Sequence, residues 1–140
     1  MLLHQVVVFS HTEKEIASSS AHERVQSSPD YINRSLRASR RLDRLLSAMQ
    51  HEDWGKMYQI CFDEFMDMHH LFETSVPPFT YRSTACYALL KALQSYWKTA
   101  GDGPIITMDA GPTIHLLYRP DQAALAQQFK ETILKHHEVL

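Results

Sequence analysis

Glycine is scarce in this 140-residue chain, with only four, at positions 55, 101, 103 and 111. None opens a helix within a glycine-rich run, so no such loop is available here to cradle phosphates with its backbone amides. Two cysteines, Cys61 and Cys86, sit in apolar helical patterns, which argues for reduced core thiols and against a disulfide framework. No apolar run reaches the length of a membrane span, and the segment from Leu2 to Phe9 lacks the basic start and cleavage site of a secretory signal. A net charge of -2 removes any global electrostatic case for nucleic acid or an anionic membrane. The nine histidines bring no zinc spacing and no HExxH, and His69-His70 and His136-His137 are adjacent pairs that diverge on a helix. No metal site is expected. What remains is a cytoplasmic protein of one domain, residues 1–140, long enough to bury a core unaided, with 44% hydrophobic and 21% charged residues.

The residues that are present alternate between two periods. Gln5-Val6-Val7-Val8-Phe9 is nearly continuously apolar and reads as a strand central in its sheet. Residues 10–28 are polar and serine-rich and read as a loop. Ser28-Pro29 then reads as a helix start, followed by an apolar stripe of Leu42, Leu45, Leu46 and Met49. A second helix is expected from near Glu52, carrying Trp54, Met57, Tyr58, Cys61, Phe65, Met68 and Phe72, and ended by Val76-Pro77-Pro78. A third follows from about Tyr81, with Cys86, Leu89, Leu90, Leu93 and Trp97 on one face and Gly101 and Gly103 closing it. Two short strands, Pro104 to Met108 and Ile114 to Tyr118, precede a last helix that starts at Pro120-Asp121 and carries Leu125, Phe129 and Ile133. This order predicts an α+β sandwich, an antiparallel sheet covered on one side by about four helices.

Three groups of residues carry candidate chemistry. Asp109 stands between the two short strands in Thr107-Met108-Asp109-Ala110-Gly111-Pro112-Thr113, where a carboxylate can meet a ligand or accept backbone hydrogen bonds in a tight turn. Lys14 precedes Ser18, Ser19 and Ser20; hydroxyls, amides and a lysine can hold phosphate oxygens, and serine runs also serve as plain linkers. Arg34, Arg37, Arg41 and Arg44, with Arg40 nearby, form a basic stripe. Without interleaved aromatics it reads as a solvated, partly salt-bridged helix face, with RNA binding ranked last.

Four segments, in order and at compatible spacing, resemble the C-terminal portion of diphosphomevalonate decarboxylase in the GHMP kinase superfamily. Val6 to Phe9 followed by Lys14-Glu15-Ile16-Ala17-Ser18-Ser19-Ser20-Ala21 is similar to the family's K-x-V-S-S-[RT]-x-G-M loop. Ser27-Ser28-Pro29 matches its serine-proline segment, and Met68-His69 with Pro77-Pro78-Phe79-Thr80-Tyr81 matches M-H…P-P-[FI]-[TS]-Y. Thr107-Met108-Asp109-Ala110-Gly111-Pro112 resembles T-x-D-A-G-P-N. The chain departs from the pattern at Ser19, at Ala21-His22 in place of Gly-Met, and at Thr113 in place of Asn.

The resemblance implies a GHMP-kinase C-terminal-type fold and ATP-dependent conversion of mevalonate 5-diphosphate to isopentenyl diphosphate, with loss of phosphate and carbon dioxide. It makes Asp109 the catalytic aspartate, puts Ser18 and Ser19 on the substrate diphosphate, and has Ala110 and Gly111 shape the backbone beside the reacting carbon. Lys14 and His69 are further candidates, His69 being equally readable as a packing residue. ATP and Mg2+ would bind mainly outside this chain, on an N-terminal portion that nothing here resembles. The surface such a missing portion leaves is compatible with a homodimer. The alternative reading is a non-enzymatic α+β module, or a related GHMP kinase or decarboxylase domain, that binds another phosphorylated metabolite.

Overall fold

The β-branched and apolar runs at either end of the sequence meet in one sheet. The structure, a computed structural model, describes residues 1–10 and 15–140. Four strands, β1 (Leu3–Val8), β2 (Ile105–Met108), β3 (Ile114–Tyr118) and β4 (Glu138–Val139), lie in the order β2-β3-β1-β4 with every neighbour antiparallel. β1 is internal, as its apolar character predicts. β4 has no counterpart in the sequence reading, because two residues are too few to show a period. Backbone bonds between Val6 and Leu140 extend its pairing with β1.

The chain forms two compact units, one of Met1–His11 with Arg82–Leu140 and the other of Thr12–Tyr81. In the first, the sheet has one closed face. Val7, Ile106, Met108, Ile114, Leu116 and Tyr118 are buried, and register pairs Val7 with Ile114 and Ile106 with Leu116 on that face. Helices α4 (Thr84–Ala100) and α5 (Ala123–Glu131) cover it. Phe129 meets Tyr118 and Tyr96 edge to face, and Gln5 donates to the Ala126 carbonyl at 3.0 Å.

The apolar period of α4 is borne out: Cys86, Leu89, Leu90, Leu93 and Trp97 are all buried. Ser83 caps its start by accepting from Cys86 N, and Gly101 ends it in the left-handed region at φ 70°. A Cβ at Gly103 would lie 2.8 Å from Trp97 Nε1, which needs that space to donate to the Pro104 carbonyl. The last helix is shorter than its sequence pattern suggests: Pro120–Gln122 forms a 3-10 turn, and Leu134 rather than Ile133 is buried.

In the second unit, α1 (Ser18–Arg24) and a 3-10 turn (Val25–Ser27) occupy the stretch expected to be loop. Ala21 and Val25, four residues apart, bury one side of it, a signal masked by the serines around them. α2 (Arg34–Gln50) begins later than Ser28-Pro29, because Asn33 at φ 63° interrupts any earlier helix. The Ser28 hydroxyl instead bonds the Thr74 hydroxyl at 2.6 Å and accepts from Asp30 N. α3 (Trp54–Glu73) is capped by Asp53, which accepts from Lys56 N.

The α2–α3 pair corrects two expectations. The leucine stripe does not face the core: Leu42, Leu46 and Met49 are exposed, Leu45 is half-buried, and Ala48 is buried in their place. The arginine stripe faces α3 instead. Arg37 forks onto Asp67 at 2.9 and 3.0 Å, Arg41 reaches Asp67 at 2.6 Å and Glu64 at 3.1 Å, and Arg34 bridges both acids. Burial alone would raise the Asp67 pKa, but hydrogen bonds from Arg37 and Arg41 and the charges of Arg34 and Arg37 bring it from 3.8 to about 2. No helix among the described residues is long and apolar enough to cross a membrane.

Candidate active site

Asp109 is the first residue beyond β2. Met108 and Ile114 close the register of the β2–β3 hairpin, and residues 109–113 join the two strands. Ala110 and Gly111 are buried while Asp109 is exposed, so the carboxylate is presented from a backbone whose next two residues are held in the core. The opposite end of the hairpin is anchored by charge. Arg119 forks onto both oxygens of Asp102 at 2.9 and 2.8 Å and reaches Asp121 at 3.0 Å. The buried Gln122 donates to the Gly103 carbonyl at 3.0 Å and accepts from Arg119 N at 2.9 Å. The Arg119 bond holds the Asp102 carboxyl below its ordinary pKa against the opposing effect of burial, and the guanidinium is raised in turn.

The hairpin also brings His115 near Asp109, and β1 adds His4 against His115; the sequence singles out neither. His115 lies one residue into β3, on the face opposite Ile114 and Leu116. Its Nδ1 is 3.1 Å from His4 Nε2, and the two rings stack at 5.3 Å. One proton joins the two nitrogens. Burial pushes the His115 pKa below 6.5, the nearby Asp109 carboxylate pulls it upward, and His4 lowers it again. Strand alternation alone could place His115 on the open face; only the β1–β3 register could add His4.

This geometry makes Asp109→Asn readable at the imidazole. Removing the carboxylate takes away an attraction that raises the His115 pKa, so its titration midpoint should move down, as followed by ring-proton NMR. A midpoint that stays in place would mean that the carboxylate does not sense the ring.

The serine segment belongs to the second unit. Ser18 is half-buried, and Ser18, Ser19 and Ser20 form the first turn of α1, with Ser19 and Ser20 exposed. Lys14 lies outside the described residues. The Pro-Pro-Phe-Thr-Tyr segment acts as the support of α1. Phe72, Phe79 and Tyr81 pack together with centroids 5.2–5.6 Å apart. Tyr81 donates its hydroxyl to the Ile16 carbonyl, Arg24 stacks over Phe79 at 5.0 Å, and His22 meets Phe72. His69 is fully buried against Phe65, Phe72 and Tyr81, a placement that suits packing rather than contact with a solvent-borne ligand.

The five arginines divide. Arg34, Arg37 and Arg41 are engaged with Glu64 and Asp67, which leaves Arg40 and Arg44 on the exposed surface. Among the described residues no group of three His, Cys, Asp or Glu side chains is arranged to hold a metal ion.

Residues 4–139 match the model of the mevalonate 5-diphosphate decarboxylase C-terminal domain. Among solved structures, a mevalonate diphosphate decarboxylase from Legionella pneumophila is 49% identical, with a TM-score of 0.93 over 99% of this chain and 44% of that one. The Staphylococcus aureus enzyme is 22% identical, with a TM-score of 0.85 over 99% of this chain and 42% of its own. The protein MDDEF is 22% identical, with a TM-score of 0.79 over 99% of this chain and 42% of its own. The chain therefore spans less than half the length of these solved relatives. No curated protein sequence matches it.

Proposed function

The chain belongs to the mevalonate 5-diphosphate decarboxylase C-terminal domain family, and from that premise we propose that it supplies the acidic half of a decarboxylase site. The observation that supports this most is Asp109, an exposed carboxylate presented from the rigid end of the β2–β3 hairpin within the family's Asp-Ala-Gly-Pro turn.

The substrate is mevalonate 5-diphosphate. Asp109 accepts the hydrogen bond of its tertiary 3-hydroxyl and orients that oxygen for phosphorylation. Its negative charge then favours positive character at C3 as the 3-phosphate leaves, and the pair of electrons released with carbon dioxide forms the double bond of isopentenyl diphosphate. The buried Ala110 and Gly111 keep the backbone beside C3 in place. Ser18 and Ser19 hold the diphosphate through hydroxyls and the amides of the first turn of α1. His69 supports α1 through the aromatic cluster rather than touching substrate.

ATP supplies the phosphoryl group and Mg2+ its charge compensation, and both bind to a portion of the protein other than these residues. MDDEF has been solved in complex with MVAPP, AMPPCP and magnesium, which supports this assignment of ligands. The same division of labour makes this chain one C-terminal portion of a longer, cytoplasmic enzyme.

Supplied with mevalonate 5-diphosphate, ATP and Mg2+, the 140-residue chain should release no carbon dioxide above background. Joined to the part of the Legionella enzyme that precedes the matching segment, it should release one carbon dioxide per ADP formed. Release by the chain alone would refute the division of labour. A folded, ATP-binding fusion that releases none would refute the decarboxylase reading.

A further inference from the structure

Asp109 has two tasks that call for opposite protonation. As a base it receives the proton of the substrate hydroxyl, and in the next step it has to be negative again, beside the positive character at C3. Each turnover therefore leaves a proton that has to move off the carboxyl before the phosphate departs. The sheet places an acceptor on the same side of the hairpin.

In β3, Ile114 and Leu116 are fully buried against the helices, so His115, between them, stands on the opposite face. Its register partners are Val6 on β1 and Thr107 on β2. Asp109 follows Thr107 by two residues, the step that returns a side chain to the same face. The Asp109 carboxylate is close enough to raise the proton affinity of the His115 ring. From β1, His4 Nε2 lies 3.1 Å from His115 Nδ1. His115 is half-buried and His4 is exposed, so the pair leads from the site outward to water. The polar groups that face His115 are thus His4 from β1, Thr107 from β2 and Asp109 from the turn.

We propose that the His4–His115 pair takes up the proton that Asp109 removes from the substrate's 3-hydroxyl, and so returns Asp109 to its negative form before C3 loses its phosphate; this deepens the decarboxylase reading and rests on it. The proton count closes. In the first step the hydroxyl O–H bond breaks as its oxygen bonds the γ-phosphorus of ATP, ADP leaves, and the proton sits on Asp109. It then passes to His115 Nε2, the nitrogen that does not face His4, while Nδ1–H donates to His4 Nε2. In the second step the C3–O bond breaks with departure of phosphate, and the electron pair freed with carbon dioxide makes the double bond. The exposed His4 hands the proton to water. The transfer runs downhill, because an imidazole ordinarily binds a proton about two units more tightly than a carboxylate does.

The fusion with the Legionella segment tests the relay, with ADP and carbon dioxide followed separately through the first turnover by rapid quench. In His115→Gln and His115→Ala, ADP formation should stay within about threefold of the unaltered fusion while carbon dioxide release slows by about tenfold. Added imidazole should bring release by His115→Ala back to within about threefold, and it should leave Asp109→Asn where it was. A ring that served only the packing of the sheet would give neither the split nor the rescue. His115→Gln keeps a polar side chain against His4, so the split is readable even where Ala loosens the strand. Two results would overturn the proposal: ADP and carbon dioxide staying in step in both His115 variants, or a split that imidazole does not narrow. The reading beneath it fails in a different way, by turnover retained in Asp109→Asn or by a folded, ATP-binding fusion that releases no carbon dioxide, and either result removes the relay as well.

Discussion

Asp109→Asn, placed in a longer protein that contains this chain, should lower kcat by about 10³-fold while KM for mevalonate 5-diphosphate changes by less than about threefold. The amide keeps the shape of the side chain and can still meet a hydroxyl. It has no negative charge to set against a developing cation and no basic oxygen for a proton. Effects of this kind are made in the transition state and not in the ground state, so they fall on kcat.

Steady-state carbon dioxide release with a coupled ADP assay measures both parameters. Turnover within tenfold of the unaltered protein would remove Asp109 from the chemistry. A loss of activity caused by unfolding can be recognised separately, by the melting curve of the variant.

Asp67 should contribute substantially to stability. Its side chain is only 10% exposed and gathers three guanidinium groups between α2 and α3. Lowering its pKa from 3.8 to about 2 corresponds to about 2–3 kcal/mol at roughly 1.4 kcal/mol per unit. Asp67→Asn should therefore cost about that much near neutral pH, leaving Arg34 and Arg41 to share Glu64 and Arg37 with the Ile32 and Asp30 carbonyls.

The pH dependence fixes the sign. The folded state binds the Asp67 proton more weakly than the unfolded state does, so the stabilisation is complete above the unfolded pKa and is lost as pH falls from about 4 through 2. Urea melts at pH 7 and at pH 2 should show the variant and the unaltered chain far apart at the first and close together at the second. A gap that persists undiminished at pH 2 would show that the carboxylate charge is not its source.

What could be read from the residues depended on whether one element or two decided the outcome. The α4 face was legible because its period and its closing glycine belong to one helix. The strand–turn–strand around Asp109 was legible for the same reason. The face of α2 was not. Its leucines and its arginines each form a stripe, and Glu64 and Asp67, on a different helix, decide which stripe turns inward. α1 was hidden because serine weakly opposes helix on its own, while the anchoring Ala21 and Val25 are small and sparse. The pairing of His4 with His115 requires the register of strands far apart in sequence, which no local pattern contains. The position of Asp109 was thus visible early, and its imidazole neighbours only once the sheet was assembled.

The pairing of β1 with β3 also sets a schedule. Thr12–Tyr81 is inserted between the two segments of the other unit, and the register partners Val7 and Ile114 are separated by all of it. At about 5–20 residues per second, a ribosome leaves β1 without its partner for roughly 5–20 seconds. Throughout that interval the hydrogen-bonding edge that β1 offers to β3 stays open. An open strand edge of this kind templates pairing with other chains, so β1 is the segment of this sheet that needs protection during synthesis.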